Sequence, residues 1–216
     1  MAASLAPAVA SESVFVPGAA DADAALRTAA LDAAERLFVE RGVARVTLAD
    51  IAAAAGVSLR ALRARYPARD QLLLALQDRY VQRFCADSAQ AMDRCAEGDW
   101  SGRLRAWVRA AVDGYLDHVA LHDAVFHDLR THDRQAWQDN PVIDQLVELL
   151  ERGIAARVWV APDPRMTALI FITAMHSGVD RVIACAPHDD PVQVRHRLTQ
   201  TLIGYFERSV QWWARF

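Results

Sequence analysis

The chain has little cysteine, no lysine, and no uninterrupted apolar run long enough to span a bilayer. Its three cysteines, Cys85, Cys95 and Cys185, form no CxxC pair and match no metal-finger spacing. A disulfide framework is therefore excluded, and a reducing cytoplasm is the expected localisation. No stretch approaches the roughly 18 consecutive apolar residues of a transmembrane helix. The first residues lack the basic start of a secretory signal, so no membrane partner is expected. Also missing are a nucleophile with a paired base, a phosphate-cradling glycine loop and a dinucleotide fingerprint. The sequence thus predicts no enzyme, no catalytic residues and no cofactor. All 24 basic residues are arginine, which reflects genome composition and not mechanism.

What is present is a globular composition, 53% apolar and 24% charged over 216 residues, enough to bury a sizeable core. The net charge of −3 conceals a division. Leu26 to Asp70 holds eight arginines and five acids, net +3; the rest holds 16 arginines and 22 acids, net −6. A basic head on an acidic body suits a protein that touches phosphate at one end.

Residues 1–22 mix Ala, Ser, Pro and Gly without periodicity and read as a disordered arm. From Ala24 to Arg41 the apolar residues Leu26, Ala30, Ala33, Ala34, Leu37 and Phe38 mark one helical face, closed by Gly42. Thr47 with Asp50 suggests an N-cap for a helix Leu48–Ala55, and Gly56 breaks it with a positive φ. Ser58 caps a second short helix ending at Arg65, with Leu62 facing inward. Pro67 then forces Tyr66 towards extended backbone. Two short helices around a tight glycine turn, the second rich in arginine, make a helix-turn-helix over 23–70. In SLRALRARY, Leu59, Arg60 and Arg63 lie where DNA could be faced. Arg60 and Arg63, three apart, are the expected base readers; Thr47, Ser58, Arg65, Tyr66 and Arg69 complete the expected DNA-binding set.

The segments LDAAERLFVERG, VTLADIAAAAGVS and YPARDQLLLAL, over about residues 26–76, closely resemble the N-terminal pattern of tetracycline-repressor (TetR) family regulators. The resemblance implies a three-helix DNA-binding head, a fourth helix linking it to a ligand domain, a homodimer on palindromic double-stranded operator DNA, and release by a small-molecule effector. The chain departs from the pattern where Arg60-Ala61 replace a Gly-Thr pair, Arg63 replaces Tyr and Arg69 replaces Lys. Arginine must then supply the phosphate contacts of the missing hydroxyls, and a G/C-rich operator is expected.

Beyond Asp70 the chain reads as helices over 72–96, 100–118, 120–131, 141–161, 164–186 and 191–216. The fold class is all-α with about nine helices, 71–216 forming the ligand-binding and dimerisation domain. Ala168, Ala174, Ser177, Gly178 and Ala184, with Leu202, Phe206, Trp212 and Trp213, mark the last two helices as the expected dimer surface. Candidate pocket liners are Trp107, Tyr115, His118, His122, Phe126, Trp137, Phe171, Met175 and His176, with Asp180 as a polar anchor. Residues 115–133 hold four of the seven histidines. His118 and His122 share one helical face by their i, i+4 spacing. Two readings stay open: solvated residues capping a turn, or a metal or polar-ligand site in a helical sensor. A His-Asp metal-dependent hydrolase does not fit, because the His-Asp pairs recur every five residues and rotate around the helix instead of converging.

Overall fold

A computed structural model describes residues 19–127, 140–185 and 189–211. Among them the chain forms nine α-helices and no strand: α1 (Ala19–Arg41), α2 (Leu48–Ala55), α3 (Leu59–Arg65), α4 (Arg69–Asp93), α5 (Trp100–Asp117), α6 (Val119–His122), α7 (Pro141–Ala155), α8 (Pro164–Cys185) and α9 (Pro191–Val210). A 3₁₀ turn, Val43–Arg45, precedes α2, and a π-helical turn, Asp123–His127, continues α6.

The first helix starts at Ala19 and not at Ala24, so 19–22 are helix and not arm. The stretch AADADAA is dominated by alanine, the best helix former, and Asp21 in the first turn complements the helix dipole. Gly42 has positive φ, 77°, but its ψ of 148° puts it outside the left-handed helical cap that was expected; it leads into the 3₁₀ turn. Gly56, at φ 67° and ψ 25°, is the left-handed C-cap of α2. Further along, α7 stops at Ala155, well before Ala161. The chain turns there through Arg157 at φ 59°, and Trp159 folds back onto Gly153, where any Cβ would collide with the indole.

Two cores divide the molecule. The head core gathers Leu31, Leu37 and Phe38 from α1, Ile51 from α2, Leu62 from α3, and Leu72, Leu73 and Leu76 from α4. The body core gathers Trp107, Tyr115, Ile143, Leu146, Phe171, Met175 and Phe206, with Met92 from the far end of α4. One 25-residue helix, α4, thus belongs to both. So does the segment after α5: Leu121, Ala124 and Val125 are buried in the head core.

By length and average composition α8 is apolar enough to cross a membrane, although it holds no uninterrupted apolar run of that length. Polar residues punctuate it, yet Ile, Phe, Met and Val dominate the average. Ala168, Phe171, Ile172, Met175 and Val179 on it are packed in the body core. The expected dimer surface also changes. Ala168, Leu202 and Phe206 are buried within the single chain, Phe206 stacking on Phe171 at 3.9 Å. The large apolar side chains these helices leave exposed are Met166, Ile170 and Ile183 on α8 and Val192 and Tyr205 on α9. Trp212 and Trp213 lie outside the described residues.

Candidate nucleic-acid interface and sensing core

The head is built by caps at each turn. The Thr47 Oγ accepts from the Asp50 amide at 3.2 Å, and Asp50 Oδ2 accepts from the Thr47 amide at 2.9 Å, closing a capping box on α2. Aspartate fills the role usually given to Glu or Gln. The Thr47 hydroxyl also donates to Asp50 Oδ2 at 2.6 Å, and this bond, then the one from the Thr47 amide, hold the Asp50 carboxyl below its ordinary range. Ser58 Oγ accepts from the Ala61 amide at 3.1 Å and starts α3. Each hydroxyl is exposed at a helix N-terminus, where unpaired amides favour phosphate.

Leu62, fully buried, pins α3 to the head and sets its rotation. Arg60 and Arg63 consequently stand on its exposed side, and neither makes an ion pair among the described residues. Arg65 is exposed too, 3.9 Å from Asp23 and 5.2 Å over the Tyr66 ring. Three expected contact residues are placed differently. Tyr66 is turned into the head core, 3% exposed, which removes it from the DNA-facing surface. Its backbone, at φ −130° and ψ 85°, leaves the helix as Pro67 demands and carries the ring inward. Leu59 is partly buried against the same core. Arg69 donates to the Val43 carbonyl at 3.0 Å, tying the start of α4 to the 3₁₀ turn.

Between head and body, sequence reasoning overlooked an ionic link. Arg79 on α4 bonds Asp32 at 2.5 Å and Glu35, both on α1, and Arg83 lies 3.6 Å from Glu35. Acids on the solvent side of α1 and arginines two turns into α4 carry no local signal of meeting.

In the body, four of the candidate pocket residues meet around one aromatic cluster. Tyr115 stacks on His122 with centroids 3.6 Å apart, and Phe126 lies 4.6 Å from His122. His122 Nε2 is 3.4 Å from His176 Nε2. The Tyr115 hydroxyl donates to Asp180 Oδ1 at 2.7 Å, bringing in the fifth. Burial and then this bond to Asp180 hold the Tyr115 phenol well above its ordinary value. Tyr80, a member that sequence reasoning missed, has its hydroxyl pushed up to about 12 by burial and donates to the Gly114 carbonyl at 3.2 Å.

The other candidates lie elsewhere. Trp107, Phe171 and Met175 are body-core residues; Trp107 Nε1 donates to Gln145 Oε1 at 3.2 Å, an oxygen that also accepts from Ser88. His118 is exposed, and the α5 helix breaks at it, so it does not share the buried face of His122. Trp137 lies outside the described residues. Beside the cluster, Tyr80, Phe84, Ala110 and Gly114 line a cleft of only about 50 Å³, with Arg83, Asp87 and His118 at its rim. An open recess of about 420 Å³ faces solvent between α1 and α4, over Asp32, Glu35 and Arg83.

Comparison with known proteins agrees with this division. Residues 30–76 match the bacterial regulatory proteins of the tetR family, and residues 99–205 match the tetracyclin repressor-like C-terminal domain. No curated protein sequence matches the chain. Among solved structures, a protein of unknown function from Rhodococcus sp. RHA1 superimposes with a TM-score of 0.73 at 22% identity, over 93% of this chain and 100% of that one. A tetR-family regulator from Shewanella sp. PV-4 gives 0.66 at 19% identity, over 87% and 99%. SmeT in complex with triclosan gives 0.61 at 18%, over 89% and 94%. The two matched stretches span most of the chain, one on the helix-turn-helix and one on the body: the protein belongs to the TetR family of transcriptional regulators.

Proposed function

We propose that this protein is a ligand-responsive repressor that binds a palindromic operator as a homodimer and is released by a small, mostly apolar effector taken up in the body. The observation that carries the reading is the pair of exposed arginines on α3, neither in an ion pair among the described residues. Arg60 and Arg63 stand side by side on the helix that a helix-turn-helix lays in the major groove, and bidentate arginine to guanine is the commonest specific contact there. Thr47 and Ser58, at helix N-termini, with Arg65 and the donors Arg69 does not spend on Val43, take the phosphates. A partner of this kind places the protein in the cytoplasm.

Dimerisation is supported by α8, of whose most apolar stretch only 28% is buried. Met166 and Ile170 there, with Tyr205 on α9, are each half exposed or more, and a twofold partner would cover them. Two heads at the spacing of successive major grooves then read both half-sites. Effector binding is supported by the aromatic cluster at His122, and SmeT, a structural relative, accommodates triclosan. Both α4 and the α6 segment reach from this cluster into the head core, so displacing either re-aims α3. The effector must bind the splayed arrangement better than the DNA-fitting one, since only differential affinity shifts the equilibrium.

The test is a titration of the full-length protein with the DNA upstream of its own gene, at two salt concentrations, against an unrelated duplex. Salt-sensitive binding that strongly prefers the upstream DNA, and is lost in Arg60→Ala and Arg63→Ala, is expected. Equal, weak binding to both duplexes, unchanged by the substitutions, would sink the reading.

A further inference from the structure

The i, i+4 spacing of His118 and His122 points to a shared face, but the chain breaks that register. His118 sits in non-helical backbone, φ −130° and ψ 32°, and its Nδ1 turns back to the Gly114 carbonyl at 3.1 Å. His122 meets a different imidazole: its Nε2 lies 3.4 Å from Nε2 of His176, 54 residues on. We propose that His122 and His176 hold a divalent transition-metal ion of the class that prefers imidazole, such as Zn²⁺, Ni²⁺ or Cu²⁺.

Three features carry this. The first is spacing. Two imidazole nitrogens at 2.0–2.1 Å from a tetrahedral ion lie about 3.3 Å apart, so the two rings stand at metal-binding separation without rearrangement. The second is the outer shell. Metal-binding histidines direct their other ring nitrogen to a carbonyl or carboxylate. His176 Nδ1 is 2.9 Å from the Ile172 carbonyl, which fixes a proton on Nδ1 and leaves the Nε2 lone pair aimed at His122. His122 Nδ1 lies 3.9 Å from Asp123 Oδ1, near enough for charge attraction but not for a hydrogen bond. The third is charge. Asp123 adjoins His122, and Asp180 lies one turn beyond His176 on α8, held by the tyrosine that stacks on His122. Two carboxylates offset the charge of a bound cation.

Two neutral imidazoles meeting through Nε2 share a single proton. An ion takes both Nε2 lone pairs as that proton passes to Nδ1 of His122, so each ring stays neutral with its one proton on Nδ1. No third His, Cys, Asp or Glu converges on the pair among the described residues. His122 lies on the same segment as Leu121, Ala124 and Val125 of the head core. Occupancy is thus felt at the DNA-binding end, a consequence that rests on the repressor reading, whereas the site itself does not.

The experiment titrates full-length protein with Co²⁺ alone, followed by its visible d–d bands, and then displaces Co²⁺ with Zn²⁺. One Co²⁺ per chain is expected, with affinity reduced at least tenfold in both His176→Ala and His176→Gln and unchanged in His118→Ala. Thermal melts of the metal-free variants establish that they fold, and Zn²⁺ raises the melting temperature of the parent protein and of His118→Ala but not of the two His176 variants. No uptake at millimolar Co²⁺ overturns the site. So does binding that survives both His176 substitutions, or is lost in His118→Ala, since the ion would then belong to other histidines of residues 115–133. Operator titration with and without Zn²⁺ reads the coupling separately: a changed affinity supports it, and an unchanged one overturns the coupling while the site stands. Absence of any operator binding counts against the repressor reading alone.

Discussion

Among the described residues Arg60 and Arg63 are exposed and make no ion pair, unlike Arg65 and Arg69 beside them. Arg69 is tied to the Val43 carbonyl and Arg65 leans on Asp23 and Tyr66, but the first two present their donors to solvent. Replacing either with alanine should cost about 1–3 kcal/mol of discrimination at one base position, roughly ten- to hundredfold in affinity. Competition binding with point-substituted operators measures it, and thermal stability should hardly move. Arg69→Ala should instead weaken DNA binding and lower the melting temperature, because it also removes a tether of α4. Asp50 makes a separate prediction. Its folded-state pKa is depressed by the Thr47 bonds, so its contribution to stability is present above the unfolded value near 3.8 and is lost as pH falls through the lower folded value. Carboxyl NMR should place its midpoint below 3.8 in the protein, and nearer the ordinary value once Thr47→Ala removes the side-chain bond and leaves the backbone one.

At the scale of elements, the helix starts were more legible than the ends. Asn140 and Asp190 cap α7 and α9, each followed by proline at the first helical positions, a local chemistry that any reader of the chain can find. The end of α7 is different. Its sequence continues to Ala161 with helical composition, yet the helix stops at Ala155 because Trp159 is more stable against Gly153 in the core than on an exposed helical turn. Gly153→Ala should therefore destabilise the body by about 1–3 kcal/mol through overpacking, although alanine is the better helix former. A fall in melting temperature of roughly 2–4 °C per kcal/mol is expected by calorimetry. An unchanged or raised value would mean that the indole yields freely.

For the whole molecule, the proposed homodimer rests on the exposed faces of α8 and α9. Ile170 is 50% exposed, so a charge there leaves the single chain's core intact while disrupting a twofold contact. Ile170→Glu should shift sedimentation from dimer to monomer, keep the helical circular dichroism, and weaken operator binding more than any single phosphate contact does. A dimer that survives this substitution moves the interface off that face. The ionic link of Arg79 to Asp32 and Glu35 acts at the same scale, bracing α1 of the head against the helix that enters the body.

The sequence by itself determined the presence of the helices, the caps of α2 and α3, the glycine turn of the helix-turn-helix and the outward side of α3. Each follows from backbone chemistry within a few residues, or from the one buried leucine that orients a short helix. Only the tertiary structure decided what the apolar faces meet. Periodicity shows that α8 and α9 carry apolar residues, but not that Phe206 and Leu202 turn into their own chain while Ile170 and Tyr205 are left outside. The same limit applies to polar groups: spacing pairs His118 with His122, whereas packing of α6 against α8 pairs His122 with His176, and it buries Tyr66 where a basic, exposed neighbourhood suggested a DNA contact. Local interactions are written in adjacent residues; which faces are brought together depends on how all the helices share two cores, and no short stretch of sequence encodes that.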